Sequence, residues 1–284
     1  MTSPKQTIRA IGLVGAFLLC FWLSGCSSVP VSGRQQLNLV SDKEVTEMSV
    51  KQFNELKKRS KVLRDPDIQR KVEGIAYDVI EQVNWWDVPL AEWEVVVFDA
   101  PNQVNAFAMA GGKIGVYTGL LNMVENEDQL AFVIAHEIAH VTSKHVHERL
   151  SQAMVTEAGG TALGTAAMVT GYSTGNTTLY SLYSLYGMGS GYASLSFNRE
   201  KEREADYIGI ILMAKSGYDP REAIRVIELI DRKSAASGRK APPSWLSTHP
   251  SYRERIAKLY QYEEEAMKYY EESADMDVER LIGL

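Results

Sequence analysis

The chain has 284 residues, of which 45% are hydrophobic and 23% are charged. This ordinary globular composition excludes a disordered tail protein, a collagen-like fibre and a mini-protein held together by disulfides. The 36 acidic residues outnumber the 30 basic ones, and the formal net charge is −6. Because nucleic-acid binding depends on lysine and arginine side chains that neutralise phosphates, this balance argues against a nucleic-acid partner.

The N-terminal residues have the pattern of a secretory signal. Two basic residues precede an unbroken apolar run over residues 10–22, which is shorter than the roughly 20 residues of a transmembrane helix. The following Leu-Ser-Gly-Cys resembles a bacterial lipobox, in which the cysteine is acylated and becomes the new N-terminus. We therefore predict a lipoprotein signal peptide over residues 1–25 and a lipid on Cys26. The alternative is an uncleaved N-terminal anchor.

The residues after the signal are expected to connect a lipid anchor to a folded domain. Residues 26–41 are mostly polar and contain proline and glycine, which predicts a lipidated tether. Two or three acyl chains on Cys26 would hold the protein stably on a membrane. Ser27, by resemblance to the bacterial sorting rule, favours the outer membrane facing the periplasm. Once Cys20 leaves with the signal, no thiol remains for a disulfide, so the fold does not depend on one.

The remaining residues, 42–284, are predicted to form one mainly helical α+β domain with a small antiparallel or mixed sheet. A strand is expected over residues 92–98, and two more surround the Gly111-Gly112 turn, from Asn105 to Met109 and from Ile114 to Tyr117. Helical periodicity and capping patterns predict helices over residues 42–59, 65–83 and 199–215, and further helices that begin near residues 126, 219 and 251. Residues 159–196, rich in small residues and tyrosine, are interpreted as a lid or flap, with ordinary packing as the alternative.

A His-Glu-x-x-His motif lies inside the helix predicted to begin near Asn126. His136 and His140 are four residues apart, so their imidazoles project from one helix face and can share one metal ion. Glu137, beside the first histidine, can then reach a water bound to that metal. Because the helix is otherwise apolar, it needs a reason to bury three polar groups, which favours a metal site over a chance match.

A catalytic zinc site usually has three protein ligands and one water, so a third ligand is expected elsewhere in the chain. Continuing the helix places His145 away from the first two histidines and His147 too far along the axis, so both are expected to be surface residues or helix-end charges. Glu202 and Asp206 share one face of a predicted helix. Glu202 is the candidate ligand, and Asp206 would accept a hydrogen bond from a ligating histidine. Glu204 is expected to project elsewhere. An exposed, charged helix start is the alternative.

Four segments together carry a family resemblance. HEIAH and EREAD, with NAFAMAGGKIGVYTGLL before them and STHPSYRERI after them, resemble the gluzincin metalloendopeptidases of the HtpX and CAAX-prenyl-protease family, and most closely their soluble periplasmic lipoprotein members of the BepA and LoiP type. The similarity covers roughly residues 30–265. It implies a zincin-like protease domain with one Zn²⁺ ion per chain. The first glutamate of the second motif is the family's third zinc ligand, and it maps to Glu202, while the family's aspartate maps to Asp206.

The resemblance also places His249, in Thr248-His249-Pro250, near the metal. Two roles remain open for this histidine. It would either stabilise the oxyanion or fill the open zinc position in a latent state.

These features predict a membrane-anchored, zinc-dependent metalloendopeptidase. Zinc lowers the pKa of its water, and Glu137 would take the proton during attack on the peptide carbonyl and pass it to the leaving amine. The strand from Asn105 would pair with an extended substrate as an added edge strand, so specificity would depend mainly on backbone contacts. The substrate-binding residues expected there are Asn105, Ala106, Phe107 and Ala108.

By resemblance, the expected substrates are unfolded or misassembled cell-envelope proteins, and outer-membrane assembly machinery is a further expected partner. The competing hypothesis is a latent periplasmic chaperone that binds outer-membrane proteins and holds a mainly structural zinc. Glu137 argues against that hypothesis, because a structural site has no use for this carboxylate. A third hypothesis, a membrane-fixed structural protein without metal, fails if one zinc per chain is found.

Overall fold

A computed structural model describes residues 26–162, 198–236, 249 and 252–282. The fold is mainly helical and includes two small sheets, which confirms the predicted α+β class. In the described part of the chain, the helices are α1 (Asp42–Arg59), α2 (Pro66–Ile80), α3 (Thr118–Leu121), α4 (Glu127–Thr142), α5 (His145–Ala162), α6 (Arg199–Lys215), α7 (Arg221–Ala236) and α8 (Tyr252–Ile282).

Local capping signals decide where several helices begin. Ser41, Asn126 and Asn198 precede α1, α4 and α6, and each side chain accepts a hydrogen bond from a backbone N–H in the first turn. These bonds satisfy donors that a helix N-terminus otherwise leaves unpaired. The helices predicted over residues 42–59 and 199–215 are confirmed, and the other predicted helices are present with ends shifted by a few residues.

The segment predicted to be a tether is partly folded onto the domain. β1 (Cys26–Ser28) and β2 (Gln35–Leu37) pair antiparallel, and Val29 in the connecting turn is buried. Arg34 forms ion pairs with Glu148 and Glu204 of the helical domain at 2.8 and 2.9 Å. The segment predicted to be a tether therefore also contacts the folded domain, because Arg34 pairs with carboxylates there.

A three-stranded mixed sheet lies beside α4. β3 (Glu94–Phe98) runs parallel to β5 (Lys113–Tyr117), and β5 pairs antiparallel with β4 (Ala106–Met109). The strand order β3-β5-β4 places β4 at an edge. Gly111 and Gly112 connect β4 to β5 with φ of +82° and +75°, which glycine adopts without a steric penalty. The predicted sheet and its glycine turn are confirmed.

Helix α4, which carries the His-Glu-x-x-His motif, lies at the centre of the fold. Its residues from Gln129 to Thr142 are all buried, and α6, β4, α2 and α7 pack around it. The approach of α6 is close, because a Cβ at Gly209 would lie 3.0 Å from the backbone N and Cα of His136. Ala205, four residues earlier on α6, is also fully buried, and Gly209 is the residue that faces the motif backbone.

Two predicted segments fall largely outside the described residues. These are the signal peptide over residues 1–25 and the lid or flap over residues 159–196, of which the structure describes only the last turn of α5. Within the described ranges, no helix combines the length and the apolarity needed to cross a bilayer.

Candidate metal centre

Two helices and one loop residue bring four metal-binding side chains together. His136 and His140 project from α4 towards Glu202 on α6, and the three side chains are no more than 2% exposed. The Nε2 atoms of His136 and His140 lie 3.6 and 3.5 Å from the two oxygens of the Glu202 carboxylate. His249 completes the group, since its Nδ1 lies 3.0 Å from Glu202 Oε1. The structure therefore brings the two sequence motifs together in space.

The spacing of these donors is close to that of a tetrahedral zinc site, and two of the separations from His136 are slightly shorter. Zinc bonds of about 2.0–2.2 Å separate neighbouring tetrahedral ligands by about 3.3–3.6 Å. His136 Nε2 lies 3.1 Å from His140 Nε2, 3.2 Å from His249 Nδ1 and 3.6 Å from Glu202 Oε2, and all four donor atoms lie within 4.8 Å of one another. Imidazole nitrogen and carboxylate oxygen are ligands that zinc accepts, so the residues present fit one zinc ion.

Asp206 and Arg255 support the first histidine. His136 Nδ1 lies 3.0 Å from Asp206 Oδ1, so this nitrogen can donate a hydrogen bond while Nε2 faces the other donors. Arg255 is 1% exposed. It donates two hydrogen bonds to the Asp206 carboxylate, at 2.7 and 2.6 Å, and its Nη1 lies 3.2 Å from Glu202. The guanidinium thus compensates two buried carboxylates at once.

Burial and neighbouring charges shift the pKa values of the three side chains that would bind a metal ion. Burial, followed by the charge of His136, holds the pKa of His140 well below its usual value, so this imidazole is neutral, as a ligand must be. Burial alone would lower the pKa of His136, but hydrogen bonds with Asp206 and Glu202 raise it to about 9, so a metal ion competes with a proton there. Burial alone would raise the pKa of Glu202, but the charges of His249 and Arg255 hold it well below its usual value.

The structure contradicts the surface position predicted for His145. α4 ends at Thr142, and Lys144 has a left-handed φ of +53°, so the chain turns before α5 begins at His145. This break returns His145 to the centre, where it is fully buried with its Nδ1 2.7 Å from His140 Nδ1. Its Nε2 lies 2.9 Å from Glu204 Oε2, so Glu204 also points towards the centre rather than away from it.

The surface position predicted for His147 is also wrong, although His147 is not one of the four clustered donors. It is 5% exposed, and its Nε2 lies 3.1 Å from Asp42 at the start of α1. Hydrogen bonding with His147 lowers the pKa of Asp42. The contact joins α1 to α5. The same chain break after α4 explains the position of His147.

Glu137 lies next to the donor cluster without being part of it. Its side chain is buried, and its Oε1 lies 3.2 Å from His249 Nε2. His249 therefore contacts the donor group with one ring nitrogen and Glu137 with the other. A carboxylate placed beside a metal ion in this way can accept and return a proton during hydrolysis.

Comparison with known proteins identifies the family of this chain. The model of peptidase family M48 matches residues 63–263. The chain belongs to peptidase family M48. It is 35% identical over 246 residues to the mitochondrial metalloendopeptidase OMA1 of Arabidopsis thaliana, a match that covers 82% of this chain and 45% of that protein. It is 30% identical over 209 residues to the putative beta-barrel assembly-enhancing protease of Vibrio cholerae, which covers 71% of this chain and 40% of that protein.

A further M48 relative is the beta-barrel assembly-enhancing protease of Escherichia coli, 26% identical over 237 residues, with 81% of this chain and 46% of that protein covered. The chain thus spans somewhat under half the length of these three relatives. Membership of M48 confirms the family recognised from HEIAH and EREAD, and the relatives' names support an enzyme of the metalloendopeptidase class. M48 membership and the buried group of four metal-binding side chains together support zinc as the cofactor.

The structure also gives the positions of the predicted substrate-binding strand and of the predicted lipidation site. Asn105 lies just before the edge strand β4, which begins with Ala106, Phe107 and Ala108, and all four are buried. Their binding of substrate stays a prediction. Cys26 opens β1, and its lipid is likewise a prediction.

Three residues around the M48 metal centre were missed or misplaced by the sequence pattern. Arg255 had a usable signal, because Leu259 and Ala266 follow at helical spacing and are fully buried, which places Arg255 on the inner face of α8. The sequence carries no comparable signal for His145 and Glu204. Their positions depend on the turn at Lys144 and on how α5 packs against α6.

Proposed function

We propose that this chain is a membrane-anchored, zinc-dependent metalloendopeptidase that cleaves unfolded or misassembled proteins of the bacterial cell envelope. The observation that carries the proposal is the buried set of His136, His140 and Glu202, spaced for one zinc ion, with Glu137 on the adjoining helix position. Hydrolysis by an activated water requires such a carboxylate, which lies beside the metal ligands but is not one of them.

Each residue near the donors then has a role in the reaction. Zinc, when bound, supplies Lewis-acid activation of a water. Glu137 takes the proton of the attacking water and passes it to the amine released from the peptide bond. Asp206, 3.0 Å from His136 Nδ1, keeps the opposite ring nitrogen turned towards the other donors. Arg255 fixes Asp206 through its two hydrogen bonds.

The edge position of β4 supports its proposed role in binding substrate. Tyr117 N donates to Asn105 O, and Phe107 lies opposite Gly115 in the same register. Because backbone groups alternate direction along an antiparallel strand, those of Ala106 and Ala108 point away from β5. An extended peptide could pair with these two residues. Recognition through backbone groups would accept many sequences, as a protease of unfolded proteins requires.

We also propose that His249 fills the fourth zinc position in a latent state. Its Nδ1 lies 3.2 Å from His136 Nε2 and 3.0 Å from Glu202 Oε1, slightly closer than the about 3.3–3.6 Å between two ligands of one tetrahedral zinc ion. Its Nε2 contacts Glu137 at 3.2 Å. In this position His249 occupies the place of the attacking water and also engages the proposed base. These contacts favour latency over oxyanion stabilisation.

Replacing His249 with alanine is expected to raise kcat/KM for an unfolded protein by about threefold or more, because the fourth position opens to water. The measurement is the digestion rate of fluorescently labelled casein at saturating zinc. His147→Ala removes another buried histidine, outside the donor group, and serves as the control. Loss of activity in His249→Ala would favour the oxyanion role, and a change within about twofold would contradict both roles.

The compartment and the anchor are part of the proposal. The Leu-Ser-Gly-Cys sequence that ends at Cys26, and two bacterial relatives named as beta-barrel assembly-enhancing proteases, support a lipid-anchored envelope protein, at the outer membrane facing the periplasm. The outer-membrane assembly machinery is the corresponding proposed partner. Similarity to OMA1, a mitochondrial protein, means that family membership by itself does not specify the compartment.

A latent chaperone for outer-membrane proteins is the second candidate function. The observation in its favour is the contact of His249 with both the donor group and Glu137, which leaves the centre closed in this conformation. A holdase would bind unfolded protein without cleaving it, and its binding would not require Glu137.

Metal removal tests the proposed endopeptidase. The chain that begins at Cys26 is expected to bind one zinc ion, to digest casein or unfolded porin, to lose this activity in a chelator and to regain it when zinc is returned. His249→Ala is assayed in parallel, so that latency is not mistaken for inactivity. Digestion that persists without metal, or a folded chain that binds no zinc, would contradict the proposal.

A further inference from the structure

A chain of hydrogen bonds runs from the ligand His140 to the N-terminal hairpin formed by β1 and β2. His140 Nδ1 lies 2.7 Å from His145 Nδ1, and His145 Nε2 lies 2.9 Å from Glu204 Oε2. Arg34 of the hairpin donates from Nε to the same Glu204 oxygen at 3.0 Å. The three helix residues in this chain are almost fully buried, with exposures of 2%, 0% and 7% from His140 to Glu204.

Metal binding through His140 specifies where the protons of this chain lie. A neutral imidazole that binds metal through Nε2 carries its proton on Nδ1. His145 Nδ1 is placed to accept that proton in a hydrogen bond, so His145 carries its own proton on Nε2 and donates it to Glu204. Each donor in the chain therefore meets an acceptor, and the series ends on a carboxylate.

The two ligating histidines are supported in parallel ways. His136 is paired with Asp206, which a buried arginine, Arg255, holds by two hydrogen bonds. His140 is paired through His145 with Glu204, which Arg34 holds. Hydrogen-bonded carboxylates of this kind fix the orientation of a metal-binding ring and strengthen it as a ligand. The second arrangement differs in that its arginine comes from the N-terminal hairpin.

The N-terminal hairpin forms hydrogen bonds with α5 and α6, the two helices that follow the metal motif. Arg34 Nη1 and Nη2 donate to Glu148 of α5 at 3.2 and 2.8 Å, while its Nε donates to Glu204 of α6. Ser32 also donates to Glu204. Val31, the residue before Ser32 in the turn, has φ of +67°, which is strained for a β-branched residue. Such strain persists where surrounding contacts hold the backbone, and the contacts of Ser32 and Arg34 do so here.

We propose that Arg34, Glu204 and His145 form a positioning relay that orients His140 for zinc, so that the N-terminal hairpin is a working part of the metal centre. These residues act through His140 and are positioning residues rather than catalytic ones. The hairpin begins at Cys26, so the segment that would carry the lipid also supports a metal ligand. This inference rests on the proposed zinc endopeptidase and adds to it a connection between anchor and site.

The test measures zinc affinity in full-length variants by competition with a chromophoric chelator. Glu204→Gln and His145→Ala are each expected to weaken zinc binding by about tenfold to a hundredfold, and Arg34→Gln by about tenfold, because outer hydrogen-bond partners contribute this much to metal affinity. Substitution of Co²⁺ for zinc is expected to give a visible absorption spectrum that differs from wild type in all three variants, since the orientation of one ligand has changed.

Matched controls lie on the outer face of α6. Arg203→Gln removes an ion pair with Glu254 in which both side chains are partly exposed, and Glu200→Gln neutralises an exposed carboxylate. Both are expected to bind zinc within about twofold of wild type. Equal weakening in controls and relay variants would overturn the proposal, and so would relay variants that bind zinc within about twofold of wild type.

Two further results are needed to interpret the zinc affinities of the variants: whether each variant folds, and whether the chain cleaves unfolded protein. If His145→Ala does not fold without metal, judged by circular dichroism, the two glutamine variants decide the result. If the wild-type chain and His249→Ala both bind zinc but cleave no unfolded protein, the proposed function is contradicted and the relay is judged by affinity alone. Wild-type chain that cleaves, together with relay variants of unchanged affinity, would contradict the relay alone.

Discussion

Replacing Glu137 with glutamine is expected to lower the rate of peptide-bond hydrolysis by about a hundredfold to ten-thousandfold, the range attributed to a general base. Glutamine keeps the size of the side chain and can still contact His249, but it cannot take a proton from the attacking water. Zinc binding is expected to change little, because Glu137 is not one of the four clustered donors. The measurements are kcat/KM for an unfolded protein and zinc content per chain.

The matched control is Glu127→Gln, which removes a carboxylate from the exposed first turn of the same helix, where its partner is the exposed Lys71. It should retain the wild-type rate. Glu137→Gln also separates the two candidate functions, because a protease loses cleavage whereas a holdase keeps its capacity to bind unfolded protein. Cleavage at the wild-type rate by zinc-loaded Glu137→Gln would rule out Glu137 as the base.

Replacing Arg255 with leucine is expected to lower the free energy of unfolding by about 3–5 kcal/mol, the cost of removing one partner from a buried ion pair. Arg255 is 1% exposed and donates to both oxygens of Asp206. Without it, Asp206 and Glu202 remain buried as carboxylates with His136 between them. The measurement is urea unfolding of the zinc-free protein. The measurement is repeated with zinc, and a smaller loss of stability is expected there, because the charge of the zinc ion compensates Glu202 in place of Arg255.

Arg253 provides the control for this substitution, because it is an exposed arginine two residues earlier on the same helix. Arg253→Leu should change the free energy of unfolding by less than about 0.5 kcal/mol. A second variant, Arg255→Leu with Asp206→Asn, removes one of the uncompensated charges and should recover part of the lost stability. Equal stability of Arg255→Leu and Arg253→Leu would show that the buried guanidinium contributes nothing specific.

Much of the site could be predicted from sequence because its signals are local. The four-residue spacing of His136 and His140 places both rings on one helix face, whatever surrounds the helix. The same spacing joins Glu202 to Asp206 on α6. Helix starts were also predictable, since Asn126 and Asn198 cap the first turns with their own side chains.

The errors have a common physical cause. His145 and His147 were placed on the surface by continuing α4 past its end, but a helix that ends at Thr142 and restarts three residues later changes the direction of every following side chain. The contacts of the N-terminal hairpin could not be predicted from the polar composition of this segment, because the carboxylates that pair with Arg34 come from residues more than a hundred positions away.

By itself, the sequence determined the fold class, the two motif helices and the residues that face one another across them, because helix periodicity and capping are properties of short segments. Only the tertiary structure decided that His249 lies within the group of metal-binding side chains, that Arg255 neutralises the carboxylates beside it, and that the hairpin reaches His140 through Glu204 and His145. These contacts join residues distant in the chain, and their energies come from pairing charges that packing has removed from water.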